Sequence, residues 1–446
     1  SVSIQTLTKN LDPALNIFAD VILNPTFPEN ELETVRRRTL TGLIQRKDNP
    51  NAIANVAFNT LLYGKKHPYG QSLGGDEASV KALTRAELAD FYSTYYRPNN
   101  ATLVVVGDVE KTDLIKKLET AFADWKPANI PARPLPAIAS ITEPAIYLID
   151  KPGAAQSVVT IGQVGVARDN PDYFPLIVMN SILGGQFSAR VNMNLREDKG
   201  YTYGARTGWG FRKMAGPFSA SADVQTAVTK ESVVEFMKEP NGIRGSIPVT
   251  QEELDYNKQS LIRRYPAGFE TNGQIANQLE NLVIYNLPDS YFNEYIGKIQ
   301  GVAIADVNRV ANKYLQPDNM AILIVGDKAV IEPKLKEIEG WGSKIRYLDA
   351  EGIDAQHAVV VLVPGDVGAE VAPEDPPALA LAALQRGDAA ARPLLPRGRE
   401  AVLERGEQAN VEHARAPGEE ELPALRDAVG DAHLVQRRKI AVQRTH

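Results

Sequence analysis

Cysteine is absent from all 446 residues, which excludes disulfides and any thiolate-ligated metal. Long apolar runs are absent too. No stretch approaches the ~18 residues of a membrane span, so no membrane span is expected. There is no surplus of positive charge: the formal net charge of -6 points to neither nucleic acid nor an anionic membrane. Histidine is scarce where it would matter. Of His67, His357, His413, His433 and His446, His67 alone precedes residue 350. A zinc peptidase site needs two His and a carboxylate, as H-E-x-x-H or H-x-x-E-H on one helix, and neither string occurs. No phosphate loop, dinucleotide fingerprint or G-x-S-x-G elbow occurs either. His67 stands before Pro68-Tyr69-Gly70 and reads as a turn residue rather than a ligand.

A further absence divides the chain. The 12 Phe, 16 Tyr and 3 Trp all precede residue 350, and Met and Ser also stop there. Residues 350–446 are dominated by Ala, Pro, Gly, Glu and Arg, with segments such as Glu370-Val-Ala-Pro-Glu-Asp-Pro-Pro. Such segments bury too little to offset their chain entropy. This tail reads as a disordered or frame-shifted extension; an appended interaction tail is the alternative.

What is present is ordinary globular composition, 43% hydrophobic and 23% charged, in a length that suits two or three domains. It is organised by a repeat. Tyr96-Arg-Pro-Asn-Asn-Ala-Thr-Leu-Val-Val-Val-Gly-Asp108 matches Leu315-Gln-Pro-Asp-Asn-Met-Ala-Ile-Leu-Ile-Val-Gly-Asp327. Each copy follows a helical pattern. Pro28-Glu-Asn-Glu-Leu-Glu and Thr250-Gln-Glu-Glu-Leu-Asp form a weaker second pair, both opening a helix with acidic residues. Two halves follow, residues 1–126 and 145–349, joined by a Pro-rich linker over 127–144. The first half is shorter ahead of its matching helix, by about 78 residues. Ser1 to Leu7 alternate like a strand, with no initiator Met and no basic-then-apolar leader. The expectation is a domain entered in its middle. The compartment stays open, with bacterial cytoplasm and periplasm both admissible for a soluble chain.

Periodicity predicts strands at 2–7 and 101–107 in the first half, with helices at 11–23, 29–47, 50–62, 77–80, 84–95 and 111–123. In the second half it predicts strands at 145–150, 156–164, 201–212, 216–224 and 320–326. Helices are expected there at 171–183, 187–197, 227–238, 250–264, 268–286, 288–298, 303–314 and 328–337. Leu103-Val-Val-Val106 and Ile322-Leu-Ile-Val325 read as strands buried on both faces. The expected fold is α+β, one sheet per half, with helices along one side.

The stretch with most to say about chemistry is Ile182–Gly210. Gly184-Gly185 opens it, a helical run ends in Leu195-Arg196-Glu197, Gly200 breaks the helix, and Tyr201–Trp209 reads as a strand. Arg196 and Tyr203 thus flank a helix-to-strand turn. They are either a surface Arg and a half-buried strand Tyr, or a cation and a phenol aimed at one peptide carbonyl.

With the repeat and these strings together, residues 1–349 resemble the insulinase/pitrilysin family of inverzincin zinc peptidases, which includes the mitochondrial processing peptidase. In the first half the resemblance rests on Leu23-Asn-Pro-Thr-Phe-Pro, His67-Pro-Tyr-Gly and Tyr95-Tyr-Arg-Pro-Asn-Asn. In the second it rests on Ile182-Leu-Gly-Gly, Ser188-Ala-Arg and Leu195-Arg-Glu-Asp-Lys-Gly-Tyr-Thr-Tyr. The resemblance implies two related α/β-sandwich halves with mixed, mainly antiparallel sheets and helices on one face. It implies a chamber closed by two such pairs of domains, and short unfolded peptides as substrates. In that family an inverse H-x-x-E-H helix and a downstream Glu bind zinc, while an Arg and a Tyr seven residues later come from the other half of the assembly and hold the substrate.

Arg196 and Tyr203 match that pair, with Gly200 between them. The zinc helix would fall ahead of Ser1. The third ligand's place is occupied by Gly42, between Thr41 and Leu43, and a nearby acidic position reads Val35. Glu31 and Glu33 lie two to three helical turns away. The resemblance therefore implies a non-catalytic subunit of a heterodimer, inactive alone, with no metal or cofactor of its own and zinc on a paralogous partner. Arg196 and Tyr203 would act on the substrate carbonyls in trans, and Gly184, Gly185 and Phe187 would shape the chamber wall. An inactive structural scaffold and a truncated self-sufficient peptidase are the alternatives.

Overall fold

The computed structural model describes residues 1–138 and 144–354. The low-complexity tail beyond Asp354 and residues 139–143 of the linker lie outside the described residues. The described residues fall in one compact unit. The described residues run slightly past the compositional break: Arg46 Nη2 donates to both carboxylate oxygens of Glu351, at 2.9 and 3.1 Å.

The second half is built on a six-stranded sheet. Its strands are β1 (Ile146–Asp150), β2 (Gln156–Val164), β3 (Thr202–Trp209), β4 (Pro217–Gln225), β5 (Ala321–Gly326) and β6 (Ile345–Tyr347), in the order β3-β4-β2-β5-β1-β6. The β3-β4, β4-β2 and β2-β5 pairs are antiparallel; β5-β1 and β1-β6 are parallel. β5 is central and buried along its whole length, as its uninterrupted apolar run requires. β6 was not legible in the sequence. Only Ile345-Arg-Tyr347 pair, too short a run for a period to show.

Helix positions follow local chemistry closely. Thr84 with Glu87, Thr250 with Glu253 and Thr271 with Gln274 form reciprocal capping boxes, each satisfying end N–H groups that a helix cannot bond internally. Asn49 caps the helix Pro50–Tyr63, whose Pro50 needs no N–H at that position. The helices Tyr173–Leu183, Thr229–Asn241, Gln251–Arg264 and Ile304–Tyr314 contribute to a core on one face of the sheet. Leu176, Met179, Phe218, Phe236 and Val310 are buried there. Each large side chain of this kind contributes ~1.5–3 kcal/mol.

The fold is α+β with a mixed, mainly antiparallel sheet, as expected, and three details differ. Helices do not keep to one face: Pro50–Tyr63 from the first half covers the opposite face, where Ala57, Phe58 and Leu62 meet Tyr147, Val158 and Leu323. The reason is that β1, β2 and β5 are apolar on both sides and need two covers. The first half has no sheet of its own among the described residues. Residues 2–7 and 101–107 are not paired strands, because a run of β-formers becomes a ladder only beside another strand.

The repeat is nevertheless visible in three dimensions. Helix Arg85–Tyr95 leads through a short 3₁₀ turn at Pro98–Asn100 into residues 101–107. Helix Ile304–Tyr314 leads through Pro317–Asn319 into β5 in the same order.

The junction between the halves centres on His67. Its Nδ1 accepts from the Tyr69 N–H at 3.0 Å, which makes it the cap of the short turn Pro68–Gly70, as its sequence context suggested. Its ring stacks on Tyr63 and meets Tyr69 edge-on. The Tyr63 hydroxyl donates to the Ala215 carbonyl at 3.1 Å, and the Tyr69 hydroxyl accepts from the Met214 N–H at 3.2 Å. Burial pushes the Tyr63 phenol well above the usual tyrosine range, partly offset by the nearby Arg212 cation.

Candidate functional site

Arg196 is carried by a short helix running from Arg190 to Asp198. Its base is anchored firmly. Arg190 forms a two-pronged pair with Glu253, 2.7 Å on each arm, and also donates to the carbonyls of Ile247 and Pro248. Burial alone would raise the Glu253 carboxyl, but hydrogen bonds from Arg190 and Thr250 outweigh it and hold it below the usual range. The buried Asn192 donates from Nδ2 to the Phe187 carbonyl at 2.7 Å and accepts from the Ala205 N–H at 3.1 Å. It ties the loop after Gly185 to β3.

The last turn of this helix is widened. Lys199 N–H reaches back to the Asn194 carbonyl at 3.0 Å and Tyr201 N–H to Leu195 at 2.9 Å, giving π-type spacing over Met193–Asp198. Single widened turns of this kind concentrate at functional sites. Gly200 then takes φ +65°, a left-handed value that favours glycine, and sends the chain into β3. The wide turn is pinned from below. Asn194, itself buried, donates to Glu235 at 2.9 Å and to Glu239 at 2.7 Å.

This widened turn leaves the Arg196 guanidinium partly in solvent. Its Nε lies 3.2 Å from the neighbouring Glu197, and its Cζ lies 4.7 Å from the centroid of the Phe187 ring. Phe187 is itself 60% exposed. Tyr203 lies near the start of β3, an edge strand, where the register with β4 slips between Thr202 and Ala205. Thr202 holds that bulge by donating to the Asp223 carbonyl at 2.7 Å and accepting from Gly204 N–H at 3.1 Å. A bulge re-aims the side chain it carries. Tyr203 is 89% exposed, and its hydroxyl has no hydrogen-bond partner among the described residues.

Around Gly184 and Gly185 the space a side chain would need is already taken. A Cβ on Gly184 would stand 2.5 Å from the Thr207 nitrogen and hydroxyl, and one on Gly185 would stand 2.8 Å from the Asn180 amide. The backbone approaching Gly184 is the chain's own β3, with Thr207 N–H donating to the Gly184 carbonyl at 3.0 Å. Asn180 completes the seam: Nδ2 donates to the Thr207 carbonyl and Oδ1 accepts from the Thr207 hydroxyl. The structure brings Phe187 and Arg196 into contact, while Gly184 docks the preceding helix on the strand that bears Tyr203 and Gly185 closes back on Asn180 of that helix. Sequence reasoning missed Asn180, Asn192 and Asn194. The available signal was three amides in an otherwise apolar helical stretch, where buried polar groups must find partners.

The surroundings of Gly42, Val35 and His67 can be described directly. Gly42 is exposed on the helix Glu29–Arg46, and nothing lies within 4 Å of a Cβ placed there. Val35 is exposed on the same helix. No group of three or more His, Asp or Glu stands together among the described residues, and His67 has its Nδ1 engaged and its ring between two tyrosines. This donor set does not fit zinc. No helix among the described residues is long and apolar enough to cross a membrane.

The helical and sheet frame around Arg196 and Tyr203 has close counterparts. A crystal structure of a peptidase M16 inactive domain from Pseudomonas fluorescens matches with a TM-score of 0.66 and 30% identity, over 72% of this chain and 75% of that one. The chain belongs to the peptidase M16 family. The family model described as the peptidase M16 inactive domain matches residues 82–261 of this M16 chain, a span that includes the Arg196 turn, Tyr203 and the Gly184-Gly185 seam. An uncharacterized zinc protease, YmxG, from Bacillus subtilis is 24% identical over 330 residues, covering 72% of this M16 chain and 76% of that protein. A Helicobacter pylori protein named as a non-peptidase homolog, also YmxG, is 23% identical over 342 residues, covering 73% and 75%.

Proposed function

We propose that this chain is the non-catalytic, substrate-holding subunit of a two-chain M16 zinc peptidase. The reading is carried by one observation: the phenol of Tyr203 stands free on an edge-strand bulge directly after a widened turn that offers the Arg196 guanidinium to solvent. A Tyr203 retained merely as packing would be buried or hydrogen-bonded. Support also comes from the family match over this region, whose model is described as an inactive domain.

The partner, a paralogous chain, supplies zinc and the water it activates. This chain's part is binding. Tyr203 donates a hydrogen bond to a substrate carbonyl as charge gathers on its oxygen. Arg196, steadied over Phe187, donates to a neighbouring carbonyl and sets the register of an unfolded peptide.

Mixing tests this. The purified chain alone, with zinc, leaves a quenched fluorescent peptide intact; together with its zinc-bearing paralogue it raises turnover. Tyr203→Phe lowers kcat of the mixture by about 10²–10³-fold while the two chains still co-elute. Cleavage by this chain alone overturns the reading. Unchanged turnover with Tyr203→Phe favours a structural scaffold instead.

A further inference from the structure

Glu235 and Glu239 stand one turn apart on the helix Thr229–Asn241 and converge on a single amide. Asn194 Nδ2 donates to Glu235 Oε2 at 2.9 Å and to Glu239 Oε1 at 2.7 Å. The other oxygen of Glu235, Oε1, faces the Lys199 ammonium at 3.8 Å. Glu235 therefore holds both ends of the widened turn, since the Lys199 N–H closes that turn on the Asn194 carbonyl at 3.0 Å. Residues five apart in an α-helix point about 140° away from each other. A π-type turn brings them back to one face. A clamp on Asn194 and Lys199 together is thus a contact that ordinary helical spacing would break.

As packing the arrangement is unfavourable. Asn194 and Glu239 are buried, and Asn194 Oδ1 has no hydrogen-bond partner among the described residues. Lys199 and Lys238 both pair with Glu235, and among the described residues no cation pairs with Glu239. Burial works against the Glu235 carboxylate, while Asn194, Lys238 and Lys199 together hold it below its usual range. Two carboxylates sharing one amide repel each other, and an incompletely satisfied buried polar group destabilises more than an apolar one. Leucines at 194 and 239 would fill similar space without that penalty. What the polar arrangement supplies is a fixed shape of turn. Arg196 sits inside that turn, two residues beyond Asn194 and three before Lys199.

We infer that Glu235 and Glu239 are positioning residues: acting through Asn194 and Lys199, they hold the turn wide and so fix where Arg196 presents its guanidinium. Their part is shape, not contact with substrate. Phe187 steadies the far end of the same side chain. Tyr203 is placed independently, by the bulge that Thr202 holds in β3. Closing the turn to α spacing would rotate Arg196 while leaving Tyr203 where it is, and the two would no longer address one peptide backbone. The consequence for turnover rests on the substrate-holding role proposed above; the control of the turn's shape does not.

The test uses the double variant Asn194→Leu/Glu239→Leu, alone and mixed with the zinc-bearing paralogue. Its melting temperature stays within about 3 °C of the parent or rises. Its crystal structure shows the Lys199 N–H bonded to the Leu195 carbonyl instead of the carbonyl of residue 194. In the mixture kcat/KM falls by about tenfold or more, and adding Arg196→Ala causes no further loss, because both changes remove the same contact. Glu239→Gln keeps the acceptor, offers Asn194 Oδ1 a donor and retains the wide turn. If the double variant does not fold, Asn194→Ala, which leaves room for water, is read in the same way. A turn that stays wide without these polar groups overturns the inference. So does a loss of kcat/KM that is equally large in the Arg196→Ala background, the mark of a purely structural effect. If Arg196→Ala and Tyr203→Phe themselves leave turnover unchanged, the proposed function fails, and the spacing of the turn alone decides the inference.

Discussion

The guanidinium of Arg196 lies 4.7 Å from the ring centroid of Phe187, across the loop that Asn192 ties to β3. Both side chains face solvent, so the contact orders the cation without burying it. At exposed sites such a contact is worth about 0.5–1 kcal/mol. Phe187→Ala is therefore expected to lower kcat/KM of the two-chain peptidase by about two- to fivefold and to leave the melting temperature unchanged within error. A larger loss with unchanged melting would mean that Phe187 itself touches substrate.

Glycines at two positions should respond in opposite directions. Gly184→Ala drives a methyl into the Thr207 backbone, and urea melts should show a loss of about 1–3 kcal/mol. Gly42→Ala adds a methyl in open space on an exposed helix, and the same melts should show a gain of about 0.5–1 kcal/mol.

Asp172 precedes the helix Tyr173–Leu183 and faces Arg309, Tyr314 and Lys313 at 2.8, 2.7 and 3.2 Å. The Arg309 contact above all, then those of Tyr314 and Lys313, hold its carboxyl far below the usual range against the opposing effect of burial. A carboxyl depressed in the folded state stabilises above its unfolded value, near 3.9, and that stabilisation fades as pH falls toward the folded value. Asp172→Asn should therefore cost stability at pH 7, with the gap to the parent closing below about pH 4. Urea melts across that range measure it, and a gap that widens in acid would contradict the assignment.

The Tyr63 hydroxyl joins the halves through the Ala215 carbonyl. Tyr63→Phe keeps the stack with His67 and removes one hydrogen bond, leaving a carbonyl without its donor. A loss of about 0.5–1.5 kcal/mol is expected in thermal melts, together with faster proteolytic nicking near Ala215.

Much of the local structure was legible because its causes are local. Thr250 and Glu253 mark a helix start by satisfying its end N–H groups, and Pro50 behind Asn49 does the same. Gly200 marked the break before β3 because a left-handed residue there favours glycine. The candidate site was legible as residue types in order: a Gly-Gly pair, an Arg, a Gly and a Tyr. The widened turn under Arg196 was not, because it depends on Asn194 reaching Glu235 and Glu239 on another helix. Nor was the role of Gly184, which is set by Thr207 across a seam of two elements.

By itself the sequence determined the repeat, the order of helices and strands in the second half apart from β6, the poverty of metal donors and the residue types of the candidate site. Each is a property of spacing or residue type. Only the tertiary structure decided that Pro50–Tyr63 crosses to cover the far face of the second half's sheet. It also decided that Gly184 is closely approached by β3, and that Leu103–Val106 have no paired strands among the described residues, whereas Ile322–Val325 have two. The two runs are nearly interchangeable as sequence. What separates them is which neighbours satisfy their backbone, and hydrogen-bond partners distant in the chain leave no mark on a local pattern.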